Sequence, residues 1–93
     1  MELEITTNVF KDILGAADRI TISGRDSIKL RELFDHLSDV YGKQLLPRLL
    51  YDGFLRPEII FLINGESLDS VNGLERELIN DDRLAILTAM AGG

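Results

Sequence analysis

The chain ends in Leu-Thr-Ala-Met-Ala-Gly-Gly. The group in this ending that could react is the α-carboxylate of the last residue, which follows a backbone with small side chains. Gly92 and Gly93 lack a Cβ, so their backbone can enter a channel that is too narrow for other residues. The α-carboxylate of Gly93 resists nucleophiles until ATP converts it to a mixed anhydride with phosphate. The acyl adenylate then accepts sulfur or an amine. The ending therefore predicts that Gly93 reacts and that partner enzymes supply the catalysis.

The stretch from Leu84 to Gly93 carries no charged side chain, so it differs from a solubilising tail. Two terminal glycines alone are weak evidence, because frayed ends also favour glycine. Their position directly after an apolar strand pattern favours an extension that is threaded into another protein.

Other residues that could do chemistry are isolated from one another. The single histidine, His36, falls off the apolar face of its predicted helix, one turn from Glu32, and is expected at the surface. Asp81 and Asp82 lack the alternating oxygen ligands of a calcium loop and are typical of a turn between strands. The absence of cysteine excludes a disulfide, a thiolate nucleophile and a thiolate metal site. The sequence thus predicts a protein without its own active site, bound cofactor or metal.

Composition predicts one small domain that spans residues 1–93, with a tail over residues 89–93. The chain has 93 residues, 45% of them hydrophobic, and a net charge of −6. An acidic surface disfavours nucleic acid, whose phosphates need a positive counter-surface. We expect no membrane span and a cytoplasmic location, because there is no long apolar run and the first residues are acidic.

Hydrophobic periodicity locates the elements that would position the tail. Residues 1–9 alternate, with Leu3, Ile5, Thr7 and Val9 on one face and Glu2, Glu4, Thr6 and Asn8 on the other, which predicts a half-exposed strand. A second strand pairs with it through Ile20 and Ile22. Spacing typical of a helix then follows at Leu30, Leu33, Phe34, Leu37, Val40 and Tyr41, with Gly42 as its end and Asp26 or Ser27 as its cap.

The second half of the sequence predicts further strands around a loop. Residues 43–57 suggest a short helical piece followed by a loop. The run Ile59–Ile63 predicts a central strand buried on both faces, and Asn64-Gly65 a tight turn into a short strand. Leu74 and Leu78 are expected to point inward. Alternation from Leu84 to Thr88 predicts a last strand, parallel to the first if the two are neighbours.

Three segments resemble the MoaD/ThiS family of ubiquitin-like sulfur carriers, which includes the small subunit of molybdopterin synthase and the thiamine-pathway carrier. They are LRELFDHLSDVYG, GFLRPEIIFLING and GLERELINDDRLAILTAMAGG. The resemblance implies an α+β, ubiquitin-like β-grasp fold. In that fold a mixed sheet of four to five strands is covered on one face by one main helix, and a flexible Gly-Gly tail follows.

The resemblance also implies a reaction cycle. An E1-like enzyme would adenylate Gly93 with MgATP, a sulfurtransferase would supply sulfur to form a thiocarboxylate, and the molybdopterin synthase large subunit or an equivalent acceptor would receive it. Gly92 and Gly93 would be the functional residues. Ala89, Met90 and Ala91 would form the rest of the threaded tail and contact the partner.

Two departures from the family accompany the resemblance. Thr88-Ala89 stands where members commonly have two prolines, which predicts a less stiff tail exit. Lys29 stands where a threonine often caps the helix.

The segment between the helix and the next strand is longer than in thiamine-pathway carriers, which favours the molybdopterin branch. Alternatives are a ubiquitin-like modifier conjugated to lysines, a carrier for thiamine or another pathway, and a plain interaction domain. Phe54 and Leu55 either form an apolar patch that a partner covers or fill the small core.

Overall fold

The structure is a computed structural model, and it describes residues 1–8 and 18–88. The expected tail, residues 89–93, lies outside the described residues. The strands and helices, in chain order, are β1 (Glu2–Thr7), β2 (Asp18–Thr21), β3 (Ser27–Lys29), α1 (Leu30–Tyr41), α2 (Leu45–Leu49), β4 (Leu50–Tyr51), β5 (Phe54–Leu55), β6 (Ile59–Ile63), β7 (Glu66–Ser67), a 3-10 turn (Gly73–Glu75), β8 (Glu77–Ile79) and β9 (Arg83–Thr88).

The described strands form a five-stranded mixed sheet in the order β2-β1-β9-β6-β7, with two small ladders, β3-β8 and β4-β5. β1 is antiparallel to β2 and parallel to β9, with Ile5 opposite Leu84 and Thr7 opposite Ile86. The first and last strands are therefore neighbours, and the parallel direction predicted for that case is confirmed. β9 is the middle strand of the five, because β1 lies on one side of it and β6, which is antiparallel to it, lies on the other.

The α1 helix covers one face of this sheet, as the β-grasp expectation requires. Its side chains Leu30, Leu33, Phe34 and Leu37 are buried, and the Phe34 ring lies 5.9 Å from that of Phe61 on β6 at a tilt of 52°. Tilted aromatic pairs of this kind add to the stabilisation from apolar burial. Val40, which the sequence pattern placed on the apolar face, is 60% exposed, because it lies at the edge of the helix's buried arc.

The helix begins after both of its predicted caps. Lys29 is the N-cap, and its backbone N–H donates to Glu32 at 3.0 Å, so neither Asp26 nor Ser27 caps the helix. Both Glu32 carboxylate oxygens also accept from Arg25, at 2.9 and 3.1 Å. Glu32, the third residue of the helix, thus caps the first turn with its side chain. Gly42 ends the helix, as predicted, with a φ of 116°.

These hydrogen bonds make the stability of the helix start depend on pH. The Lys29 N–H, followed by Arg25, lowers the pKa of Glu32 below its ordinary 4.5. A lowered pKa contributes stability that is present at neutral pH and is lost as the pH falls through the folded-state pKa. We therefore expect Glu32→Gln to destabilise the chain at pH 7 and to destabilise it less at pH 3, where more of the carboxylate is protonated. Urea unfolding at the two pH values measures this. Asp35→Asn, on an exposed residue of the same helix, is the control, and an equal loss at both pH values would contradict the expectation.

Two-residue turns shape the second half of the chain. Asn64 and Gly65 have φ values of 51° and 85°, and Asp52 and Gly53 have 53° and 82°. Positive φ at both central residues is the geometry of tight hairpin turns that match the twist of strands. The Asn64-Gly65 turn is confirmed. The segment predicted as a loop after the short helix instead folds into the β4-β5 hairpin.

No helix in residues 1–8 or 18–88 is long and apolar enough to cross a membrane.

Candidate functional site

The predicted reacting group follows the central strand of the sheet. β9 runs to Thr88, the last described residue, and the predicted tail, residues 89–93, follows directly in the sequence. Ala89, Met90, Ala91, Gly92 and Gly93 lie outside the described residues, and their roles stay predictions. What the structure places is the base from which the tail starts.

Asn8 holds the backbone of Thr88 at that base. The Thr88 N–H donates to Asn8 Oδ1 at 2.9 Å, and Asn8 Nδ2 donates to the Thr88 carbonyl at 3.5 Å. On the other side of β9, Ile59 of β6 lies opposite Thr88. Sequence reasoning assigned Asn8 only to the exposed face of β1. The signal that was available is an asparagine at a strand end, a residue type whose side chain carries both a donor and an acceptor.

The sheet face away from α1 carries an apolar strip next to this base, made of Ile60, Leu62, Ala85 and Leu87. Ile60 lies opposite Leu87 and Leu62 opposite Ala85, and Ile60 is 37% exposed while the other three are half-buried. The prediction that β6 is buried on both faces is wrong, although β6 is an interior strand of the sheet, between β9 and β7. Its residues alternate between core and surface, because the outer face of the sheet has no covering layer in the part of the chain that is described.

A concavity of about 510 Å³ lies over this outer face, and its lining includes Leu62, Ala85, Leu87, Thr6 and Gly65. Ion pairs border the strip on the β1 side. Arg83 contacts Glu4 at 3.4 Å, and Arg19 contacts Glu2 at 3.2 Å and Asp81 at 3.0 Å. An apolar centre with a charged border is the usual anatomy of a protein-binding surface.

The two predicted patch residues Phe54 and Leu55 have opposite environments. Phe54 is 45% exposed and lies opposite the exposed Tyr51 in the β4-β5 hairpin, so it remains a surface candidate. Leu55 is 2% exposed, and its Cδ1 is so close to Gly73 that a Cβ there would lie 2.7 Å away. Of the two interpretations left open for Leu55, core filling is the one that the structure supports.

The isolated polar residues lie in different environments. Asp82 accepts hydrogen bonds from the Ile79 N–H and from Asn64 Nδ2, which confirms that Asp81 and Asp82 belong to a turn. His36 is half-buried. The carboxylate of Glu32, one turn away, accepts hydrogen bonds from Arg25. In residues 1–8 and 18–88 no group of three acidic or histidine side chains is placed to hold a metal ion.

The chain also matches a family model and a described relative. The family model described as the ThiS family matches residues 10–93. A protein of Archaeoglobus fulgidus to which a sulfur-carrier role is ascribed is 34% identical over 68 residues, which are 73% of this chain and 77% of that protein.

Two solved structures have the same fold. A chain of the BexX/CysO complex of Amycolatopsis orientalis has a TM-score of 0.76 and 24% identity, and the match covers 98% of this chain and 99% of that one. SAMP1 of Haloferax volcanii has a TM-score of 0.73 and 22% identity, and the match covers 100% of both chains. The chain therefore belongs to the ThiS family of small, ubiquitin-like sulfur carrier proteins.

Proposed function

We propose that this chain carries sulfur as a thiocarboxylate on Gly93 and donates it in molybdopterin biosynthesis, as the small subunit of molybdopterin synthase. An E1-like enzyme adenylates the Gly93 carboxylate with MgATP and releases pyrophosphate. Sulfur that a sulfurtransferase and a thiol reductant supply at the sulfide level then attacks the acyl carbon, forms the C–S bond and expels AMP, which leaves the thiocarboxylate. The acceptor takes the sulfur, and the carboxylate returns when water or its equivalent supplies the oxygen.

The observation that carries this proposal is that β9, whose last described residue is Thr88, is a fixed strand of the sheet. β9 is held on both sides, by β1 as far as Ile86 and by β6 as far as Thr88. Only residues 89–93 separate this fixed strand from the terminal carboxylate. A fully extended chain of that length reaches about 17 Å, which is enough to enter another protein's active site.

The outer face supplies the surface on which such a partner would dock. The apolar strip ends at Leu87, next to the residue from which the tail starts, so a protein that receives the tail would also cover the strip. We assign this surface to the E1-like enzyme and to the sulfur acceptor. Burial of the strip against a partner would be favourable at roughly 25 cal/mol per Å² of apolar area.

The molybdopterin branch is supported by the segment between α1 and β6. This segment forms α2 and the β4-β5 hairpin, and it contributes Leu45, Leu49 and Leu55 to the core. It is therefore an integral part of the domain. The sequence resemblance associates such a longer segment with the molybdopterin carriers, since the thiamine-pathway carriers have little chain at this point.

The alternative is conjugation of Gly93 to lysine amines of other proteins, which uses the same acyl adenylate with nitrogen in place of sulfur. Another sulfur pathway, including that for thiamine, is the remaining alternative. These differ in the nucleophile or the acceptor, and each requires the same tail.

Intact mass spectrometry after co-expression with the E1-like enzyme and the sulfurtransferase of the same organism tests the proposal. We expect a mass increase equal to the replacement of one oxygen by sulfur, located on Gly93. Incubation of this product with a molybdopterin synthase large subunit and the pterin precursor should return the original mass. Covalent ladders with other proteins would favour the modifier, and an unchanged mass would contradict both.

A further inference from the structure

We propose that Asn8 is a positioning residue for the C-terminal tail: its carboxamide fixes the backbone of Thr88 and so sets the direction in which the tail leaves the sheet. This inference rests on the proposed function, because a fixed exit matters for a chain that delivers Gly93 to another protein.

The geometry shows why a side chain is needed at this point. In the parallel ladder, the last strand residue of β1, Thr7, lies opposite Ile86. The β1 strand therefore ends before it reaches Thr88. The Asn8 carboxamide accepts from the Thr88 N–H at 2.9 Å and donates to the Thr88 carbonyl at 3.5 Å. One side chain thus supplies the donor and the acceptor that a further strand residue would offer.

On the side away from Asn8, Thr88 is next to strand β6. Ile59 lies opposite Thr88 in the antiparallel β6-β9 ladder, so the last residue before the tail is flanked by β6 and by Asn8. A tail that starts from a fixed residue searches fewer directions before it enters a partner. This pre-organisation lowers the entropic cost of binding and therefore affects recognition of the tail more than the chemical step.

Amide hydrogen exchange of the full ¹⁵N-labelled chain tests the hydrogen bond directly. In Asn8→Ala the Thr88 amide should exchange about threefold to tenfold faster, the range expected for one net hydrogen bond, while the Leu84 and Ile86 amides keep their rates. Asn8→Asp keeps an acceptor for the Thr88 N–H and should restore most of the protection.

Asn80→Ala is the matched control, since it removes an equivalent bond at the other end of β1. There, the Glu2 N–H donates to Asn80 Oδ1 at 2.8 Å. This variant removes the same kind of side chain and the same kind of bond to the backbone. It should leave Thr88 exchange unchanged, because the bond lies at the start of β1 and Thr88 lies beside its end.

Adenylation kinetics test the consequence, with ATP–pyrophosphate exchange by the E1-like enzyme of the same organism as the readout. Asn8→Ala should raise the KM for the carrier about threefold to tenfold with kcat unchanged, and Asn80→Ala should leave both unchanged. Unaltered Thr88 exchange in Asn8→Ala overturns the proposal. So does faster exchange without a change in KM, since Asn8 would then only complete the sheet. If the wild-type chain supports no ATP–pyrophosphate exchange at all, the proposed function is contradicted instead, and the positioning role with it.

Discussion

Deletion of Gly93 is expected to abolish adenylation of this chain, to below the detection limit of pyrophosphate exchange, while its free energy of unfolding stays within about 0.5 kcal/mol of the wild type. The deletion moves the terminal carboxylate back by one residue, about 3.4 Å along an extended chain. A misplacement of that size removes the reacting atoms from the geometry that an adenylating site needs. Activity and urea unfolding, measured on the same preparation, check both halves of the expectation.

Gly92→Ala should have the same consequence for a different reason, because it keeps the carboxylate in place and adds a Cβ to the threaded backbone. Gly24→Ala is the matched control. Gly24 has a φ of 77° in the turn after β2, and nothing lies within 4 Å of a Cβ added there. It should cost roughly 1 kcal/mol of stability through backbone strain and leave adenylation intact. If Gly92→Ala lowered stability by the ~2–5 kcal/mol of a core truncation, the glycines would be structural and the carrier mechanism would be wrong.

Sequence periodicity predicted the elements whose local pattern and tertiary environment agree. The spacing from Leu30 to Tyr41 indicated the body of α1 and its end at Gly42, and Asn64-Gly65 indicated a tight turn between β6 and β7. The alternation of Leu3 and Ile5 indicated the inward face of β1. In each case one principle of local geometry was sufficient, because the helical period, the strand period or a positive φ can be recognised from neighbouring residues.

The sequence did not predict the features that depend on distant residues. The run Ile59–Ile63 indicated burial on both faces. An apolar run does not show whether its outward side chains are covered by the same chain or by another protein. Asn8 bonds a residue 80 positions away, and only the parallel register of β1 and β9 brings the two together. The β4-β5 hairpin has two residues in each strand, too few to establish a period.

The Thr88 position also bears on one sequence expectation about the tail. Threonine in place of a family proline suggested a less stiff exit. Thr88, however, donates its backbone N–H to Asn8, a bond that a proline could not make because it lacks that hydrogen. Asn8 thus constrains by hydrogen bonding a position where a proline ring would constrain φ.

The second large effect is expected from a charge on the apolar strip. Ile60→Glu should raise the KM of the E1-like enzyme for the carrier at least about tenfold, because a carboxylate would have to lose its hydration within an apolar contact. Ile60 is the exposed member of the strip, at 37%, and its partner across the ladder is Leu87, next to the tail base. Pyrophosphate exchange at varied carrier concentration measures the KM, and a parallel assay with the acceptor's large subunit measures sulfur transfer.

Ile79→Glu separates recognition from the general effect of replacing a strand isoleucine. Ile79 is 57% exposed on β8, which pairs with β3 in a separate small ladder. Both variants replace an exposed isoleucine on a strand by the same acid, so both should lose comparable β-propensity and add the same charge to an already acidic protein. A tenfold rise in KM for Ile60→Glu with none for Ile79→Glu would place the partner on the outer face. Equal rises would assign the effect to net charge, and unchanged values for both would leave the tail as the whole recognition element.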